Sequence, residues 1–311
     1  MFNKVGTKAL LLVVVVLAGL YLLADRYSLR AKDRTFREYV VQVDTTAVVS
    51  FSLHPRRAGG DELRFERTPA GWTVQHGDTL RPADDELVRT FLGPFTGLRA
   101  KRMVGGIKLV GERHELTDSL RNRAEFRLVN GDPVQLDIGR STFAPGEDGA
   151  WTFVHVPGEK DVFATPGTLQ MLADRILNEW RPHHLVRGDT VGFRRLTYTF
   201  PSDTGYVMEL GPEGWTIDGK GADQYRLGRY LESLSGAQAM HFADDADITG
   251  LSPAYRLEID DVDRTDPIVV EVFPWRDGFV VTSSLNPGSV MAFDAEREVP
   301  RLFRPRSAFQ H

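Results

Sequence analysis

The 311-residue chain contains no cysteine, which removes disulfides, thiolate metal ligands and a cysteine nucleophile in one step. That absence suits an oxidising envelope compartment, where a stray thiol is a liability. Positive charge is not in excess either: 38 Lys and Arg stand against 43 Asp and Glu, a net charge of −5. A general nucleic-acid role, which needs a basic surface to displace counterions from phosphates, is therefore not expected. The chain also lacks a phosphate-cradling G-x-x-x-x-G-K, a G-x-S-x-G elbow and an H-E-x-x-H pair, so neither an ATPase nor a serine or zinc hydrolase is expected. Catalytic residues, cofactor ligands and metal ligands are accordingly read as none. What is present is a globular composition, 41% hydrophobic and 10% aromatic, on a chain long enough for two domains that each bury a core.

The longest uncharged run is residues 9–24, ALLLVVVVLAGLYLLA. With Val5, Gly6 and Thr7 it approaches the roughly 20 residues that cross a bilayer core. It reads as a transmembrane anchor after a cytoplasmic stub of residues 1–8. A cleaved signal peptide shares the basic start, Lys4 and Lys8, but the following ADRYSLR offers no small-x-small cleavage site. Arg26, Arg30, Lys32, Arg34 and Arg37 follow the run, and by charge count they argue for the reverse orientation. Because long domains translocate largely regardless of flanking charge, the large domain is placed outside the membrane, with a cytoplasmic domain as the alternative. Residues 25–44, charged and weakly periodic, read as a stalk.

Beyond the stalk the chain repeats itself. Residues 63–74, LRFERTPAGWTV, return as residues 206–217, YVMELGPEGWTI. Each copy alternates apolar and polar residues, turns at Pro/Gly, and resumes with Gly-Trp-Thr, the pattern of a tight hairpin. Downstream, residues 84–95 carry Leu87, Val88, Phe91, Leu92 and Phe95 at helical spacing behind an Asp-rich start. Residues 222–234 answer them with Tyr225, Leu227, Tyr230, Leu231 and Leu234. Strands are expected over 46–53, 63–67, 72–75, 98–104, 125–129, 134–138, 151–156 and 162–164, with a short helix or turn over 112–120. In the second copy, residues 255–259 match 126–128, residues 279–282 match 152–156, and Pro287-Gly288 matches Pro157-Gly158. The predicted fold class is α+β: a transmembrane helix, then two tandem repeats of an antiparallel-sheet module, each with one main helix. The repeats are drawn over 45–166 and 188–297. A bridging helix lies within 167–187, its apolar face running from Leu169 to Trp180, and a tail covers 298–311.

This arrangement resembles the domain of unknown function 4340 family: an amino-terminal anchor, a Gly-Trp hairpin, an Ala-Asp-led helix, and FRL or YRL strands leading to a Pro-Gly hairpin. The resemblance implies a bacterial envelope protein associated with ABC-type transporters similar to the gliding-motility export system. The implied partners are the inner membrane through residues 9–24 and transporter permease or auxiliary subunits. It assigns no catalytic residue.

The remaining candidates are few. Trp72 and Trp215 are symmetric and read as core anchors of their modules, with sugar stacking as the alternative; Trp180 joins them at the end of the bridging helix. His54, His76, His114, His183 and His184 show no ligand spacing, and the His183-His184 pair reads as a cap or turn with metal binding as the alternative. The clusters Asp244-Asp245-Asp247 and Asp260-Asp261-Asp263-Asp266 lack the calcium-loop pattern and read as turns.

Overall fold

The computed structural model describes residue 17 and residues 38–143, 149–201 and 205–310. Apart from Leu17, the apolar run over 9–24 lies outside the described residues, as does the stalk up to residue 37. Among the described residues no helix is long and apolar enough to cross a membrane. The chain divides into two compact units, residues 1–181 and 182–311.

The first unit opens with β1 (Tyr39–Val41), β2 (Val48–His54), β3 (Leu63–Thr68), β4 (Gly71–His76) and β5 (Thr79–Pro82), followed by α1 (Asp85–Leu92). Then come β6 (Leu98–Arg99), β7 (Arg102–Gly106), α2 (Ile107–Val110), β8 (Asn122–Leu128), β9 (Val134–Phe143), β10 (Ala150–His155), β11 (Asp161–Pro166) and α3 (Leu169–Ala173). Nine of these strands form one antiparallel sheet in the order β5-β4-β3-β2-β8-β9-β10-β11-β7, and β1 pairs with β6. Alternation decides which side chains enter the core: Leu63 and Phe65 of β3 are buried while Arg64 and Glu66 face out. Asp84 caps α1 by accepting from the Glu86 and Leu87 amides at 2.9 and 3.1 Å. Val88, Phe91 and Leu92 of α1 are buried, and Gly93-Pro94 tighten the chain into a 3-10 turn, Gly93–Gly97, that buries Phe95.

The second unit contains β12 (Phe193–Thr199), β13 (Tyr206–Gly211), β14 (Gly214–Ile217), β15 (Lys220–Gly221), α4 (Gln224–Ser235), β16 (Tyr255–Asp261), β17 (Ile268–Trp275), β18 (Gly278–Ser283), β19 (Met291–Phe293) and α5 (Val299–Leu302). Its sheet runs β15-β14-β13-β12-β16-β17-β18-β19. From β5 through β11 in the first unit and β15 through β19 in the second, strands taken in chain order occupy the same places. The register agrees as well. The β2/β8 pairing shifts between Val48 and Ser50, then sets Phe51 opposite Phe126. The β12/β16 pairing shifts between Phe193 and Arg195, then sets Leu196 opposite Ile259. Ahead of each, an Asp turn carries the same bonds: the Thr46 amide donates to the Asp44 carboxylate at 3.0 Å, and the Val191 amide to Asp189 at 3.0 Å.

Five expectations change. The stalk ends sooner than residue 44, because Val40 and Val43 are buried and β1 is hydrogen-bonded to β6. The strand drawn over 98–104 is two short strands, β6 and β7, whereas residues 112–120 are mostly turn, as read, following the short helix α2. The FRL and YRL tripeptides do not occupy equivalent sites: with Phe51 and Leu196 aligned, Phe126 corresponds to Ile259, four positions beyond Tyr255. Tyr225 lies off the apolar face of α4 and is 74% exposed.

The fifth change concerns the bridging helix. Residues 168–180 form only α3 and a 3-10 turn, Leu177–Trp180. Asp174 ends the helix because its carboxylate accepts from the Arg57 amide at 2.9 Å, while Glu179 pairs with Arg57 at 2.8 Å and accepts from the Ile176 amide at 3.0 Å. These long-range bonds outweigh helical propensity, which is worth under about 1 kcal/mol per residue. Trp180 packs at 4.9 Å from the Phe65 ring and 5.7 Å from Phe91, so the segment closes the first unit. Residues 298–311, drawn as a tail, have the same form: α5, then a 3-10 turn, Arg306–Phe309, with Phe309 in the second core.

Candidate functional site

The Gly-Trp hairpins meet the main helices at a corner built alike in both units. Gly71 and Gly214 have φ of 121° and 110°, a region that favours glycine. A Cβ on either would lie 2.8 Å from a side-chain oxygen of Asp85 or Gln224. Those oxygens approach because they accept from the next amides: Trp72 N–H donates to Asp85 Oδ1 at 2.7 Å, and Trp215 N–H to Gln224 Oε1 at 2.9 Å. The Trp carbonyls in turn accept from Ala83 at 2.8 Å and Ala222 at 3.2 Å. The amide of each helix-capping Asp reaches the unit's closing aromatic residue, Asp84 N–H to the Trp180 carbonyl at 2.7 Å and Asp223 N–H to that of Phe309 at 2.9 Å. Hairpin, helix start and closing turn are thus tied at one point.

The two tryptophan rings differ. Trp72 is 8% exposed, with Phe51 edge-on at 5.4 Å and the Arg67 guanidinium 5.0 Å from its ring centre. Trp215 is half-buried at the margin of its core, which corrects its reading as a full anchor. Leu196 stands at the register position of Phe51 and supplies less apolar surface there. Beside the first corner lies a cleft of ≈ 700 Å³ bordered by Thr46, Arg67, Pro69, Trp72, Asp85 and Arg89. Arg67 is fixed in its wall by donating to the Thr46 carbonyl at 3.0 Å. The cleft presents an aromatic edge and two guanidinium groups.

Replacing Asp85 by Ala leaves the Trp72 amide without its acceptor and opens the corner. The expected loss is about 1–2 kcal/mol, read as a lowered thermal midpoint; Asp85→Asn, which keeps an acceptor oxygen, should recover most of it.

The other sequence candidates are accounted for locally. His183 Nδ1 lies 2.9 Å from the Ala239 carbonyl, and His184 forms a β-bridge with Gln238, so the pair belongs to a strand pairing and not to a helix end. Asp245 pairs with Arg276 at 2.6 Å. Asp247 accepts from the Thr249 amide at 2.9 Å, and Asp261 accepts from that of Asp263 at 3.0 Å. Among the described residues no group of three or more His, Asp or Glu is placed to hold a metal ion.

Sequence reasoning missed Asp85 and Gln224, whose only signal is a polar residue directly after the helix-capping Asp. It also missed a buried ionic cluster on the first sheet. Asp137 accepts from Arg123 Nε at 2.8 Å, contacts Arg121 Nε at 3.0 Å and faces His155 Nδ1 at 3.2 Å. These residues are scattered along the chain, and β8, β9 and β10 bring them together. In the second unit the buried Tyr198 hydroxyl pairs with that of Tyr230, which donates to the Leu302 carbonyl at 2.6 Å. Burial raises the Tyr198 pKa well above the usual phenol value, with Tyr230 adding to the effect, so the pair stays protonated.

His114 is 6% exposed, and its pKa is lowered, first by burial and then by the charges of Arg140, Arg113 and Arg102. A histidine kept neutral by the fold is protonated preferentially in the unfolded chain. Stability should therefore rise with pH up to the unfolded value near 6.5 and fall on acidification below it. Thermal midpoints between about pH 5 and pH 7.5 should show this slope, and His114→Gln should flatten it.

Neither a curated protein nor a solved structure matches the chain. A family model matches residues 72–258, a span that starts at the first Gly-Trp corner, contains the second and ends in β16. The chain belongs to the family described as a domain of unknown function, DUF4340.

Proposed function

We propose that the protein is a non-enzymatic, membrane-anchored envelope protein, an accessory subunit of an ABC-type transporter or of a gliding-motility-type export complex, acting through protein contacts. Residues 9–24 supply a single-pass anchor in the bacterial inner membrane, with both units in the periplasm. The observation that carries this reading is how the shared corner is used. In both units the Gly-Trp backbone, the helix start and the closing aromatic residue bond to one another, so the feature common to both halves serves the scaffold and leaves its outer surface for partners. The units are tandem copies of one module. Matching strand order, register shift, Asp turn, corner and closing turn support that duplication, with copies running from about residue 38 to 181 and from 182 to 310.

A second reading is a periplasmic binding module for cell-wall glycan or exported polysaccharide. It is favoured by the ≈ 700 Å³ cleft at Trp72 and by the half-buried Trp215. Pull-down of the full chain with peptidoglycan or exported polysaccharide separates the two. Retention that Arg89→Ala abolishes without lowering the melting point favours the glycan module, and no retention favours the transporter subunit. Protease added to intact spheroplasts tests placement: digestion of both units agrees with the periplasm, and full protection contradicts it.

A further inference from the structure

The cleft beside the first corner carries charge that the corner itself does not need. The second unit supplies the comparison, because it keeps the glycine, the tryptophan and the side-chain acceptor but not the arginines. Arg67 stands opposite Trp72 in the β3/β4 pairing, whereas Leu210 stands opposite Trp215 in the β13/β14 pairing. Arg89 follows the acceptor Asp85 by about one helical turn, and Gly228 follows Gln224 by the same interval. A feature of the scaffold would recur in both units; these two guanidinium groups occur in one.

Neither arginine is spent on an ion pair with a described residue. The Arg67 side chain bonds to the backbone carbonyls of Thr46 and Thr45, at 3.0 and 3.4 Å, and lies over the Trp72 ring. Arg89 is exposed on α1, and its side chain has no partner among the described residues. Asp85 is the one carboxylate among the described residues that border the cleft, and its Oδ1 holds the Trp72 amide. Asp44, just ahead of the lining, is engaged by the Thr46 amide and hydroxyl. Two guanidinium groups against one carboxylate leave the lining positive on a chain whose net charge is −5.

The same contacts weigh against a sugar stacked on Trp72. Phe51 meets that ring edge-on at 5.4 Å and the Arg67 guanidinium covers it at 5.0 Å, which leaves the residue 8% exposed. An added strand finds no opening on β4, which already lies between β3 and β5. What the cleft offers is charge, in the form of planar donors that match carboxylate oxygens.

We propose that Arg67 and Arg89 form the docking point for an acidic segment of a protein partner, whose Asp or Glu carboxylates enter the cleft and pair with the two guanidinium groups. This rests on the reading of the protein as a subunit acting through protein contacts, and it assigns one of those contacts to the first unit. Arg67 is already oriented by Thr46 and Trp72, so little freedom is lost when it pairs. Arg89 adds the second charge from the helix.

The test uses the full chain in nanodiscs of zwitterionic lipid and a fluorescein-labelled hexaglutamate peptide, followed by fluorescence anisotropy. Saturable binding that weakens with added salt is expected. Arg89→Gln should reduce the affinity at least about tenfold, the loss of one charge-assisted bond, at an unchanged melting temperature. Arg229→Gln, the same charge change on an exposed position of α4, should leave the affinity unaltered. Equal weakening by the two variants, or no saturable binding, overturns the site. So does tighter binding of an oligogalacturonate of equal charge, which assigns the cleft to an acidic glycan instead. Recovery from native membranes separates this proposal from the reading beneath it. A transporter component held by wild type and lost with Arg89→Gln supports the cleft, and one held equally by both overturns the cleft alone. Wild type recovered without such a component overturns the subunit reading, and the peptide titration then decides the cleft by itself.

Discussion

Trp180→Ala should cost the first unit about 3–5 kcal/mol, the range for truncating a buried aromatic residue and a large part of a typical domain stability of 5–15 kcal/mol. The side chain is 0% exposed, edge-on to both Phe65 and Phe91, and its carbonyl holds the Asp84 amide at the start of α1. Truncation removes apolar burial and loosens the turn that fastens the helix to the hairpin. Calorimetry should show an early transition for the first unit with the second unit's transition retained. Phe309→Ala should act on the second unit in the same way, because Phe309 is fully buried against Tyr230 at 5.0 Å. If residues 168–180 were a linker helix, Trp180→Ala would leave both transitions nearly in place.

The second large effect is expected at Asp137. Its carboxylate is 3% exposed and compensates Arg121 and Arg123 across β8 and β9, with His155 opposite. Removing Asp137 takes the acceptor from Arg123 Nε and the buried His155 Nδ1 while Arg121 keeps Asp118, a loss of about 1–3 kcal/mol. Asp137→Ala should therefore lower the unfolding free energy of the first unit by that amount, read from its denaturation curve. Asp137→Asn, which keeps hydrogen bonds but not charge, should fall between. A double change of Asp137 and His155 that costs as much as the sum of the single changes would show that the two do not act together.

Much of the sheet was legible because its strands alternate: the spacing of Leu63, Phe65 and Val74 alone marks them as core positions, and all three are buried. The main helices were legible too, since an Asp cap precedes side chains at helical spacing in both. What escaped was decided by distant contacts. β1 is three residues inside a charged stretch, visible only once β6 pairs with it. The apolar spacing from Leu169 to Trp180 looks continuous, yet Arg57, more than a hundred positions earlier in the chain, draws Asp174 and Glu179 out of helical register. The FRL and YRL match misled because both tripeptides obey the same alternation while lying four positions apart in register. At the corner, Gly71 and Trp72 were conspicuous, but the partner that explains the glycine, Asp85, became evident only when β4 met α1. The cluster at Asp137 joins residues from β8, β9 and β10 and left no local pattern.

The most direct measurement for a transporter subunit is recovery of the full-length chain from native membranes in a gentle detergent, followed by identification of what remains bound in stoichiometric amount. Recovery with a permease or auxiliary component of an ABC-type transporter, lost when residues 9–24 are removed, is the predicted result. Recovery of the chain alone, with the two units folded and the anchor intact, would contradict it.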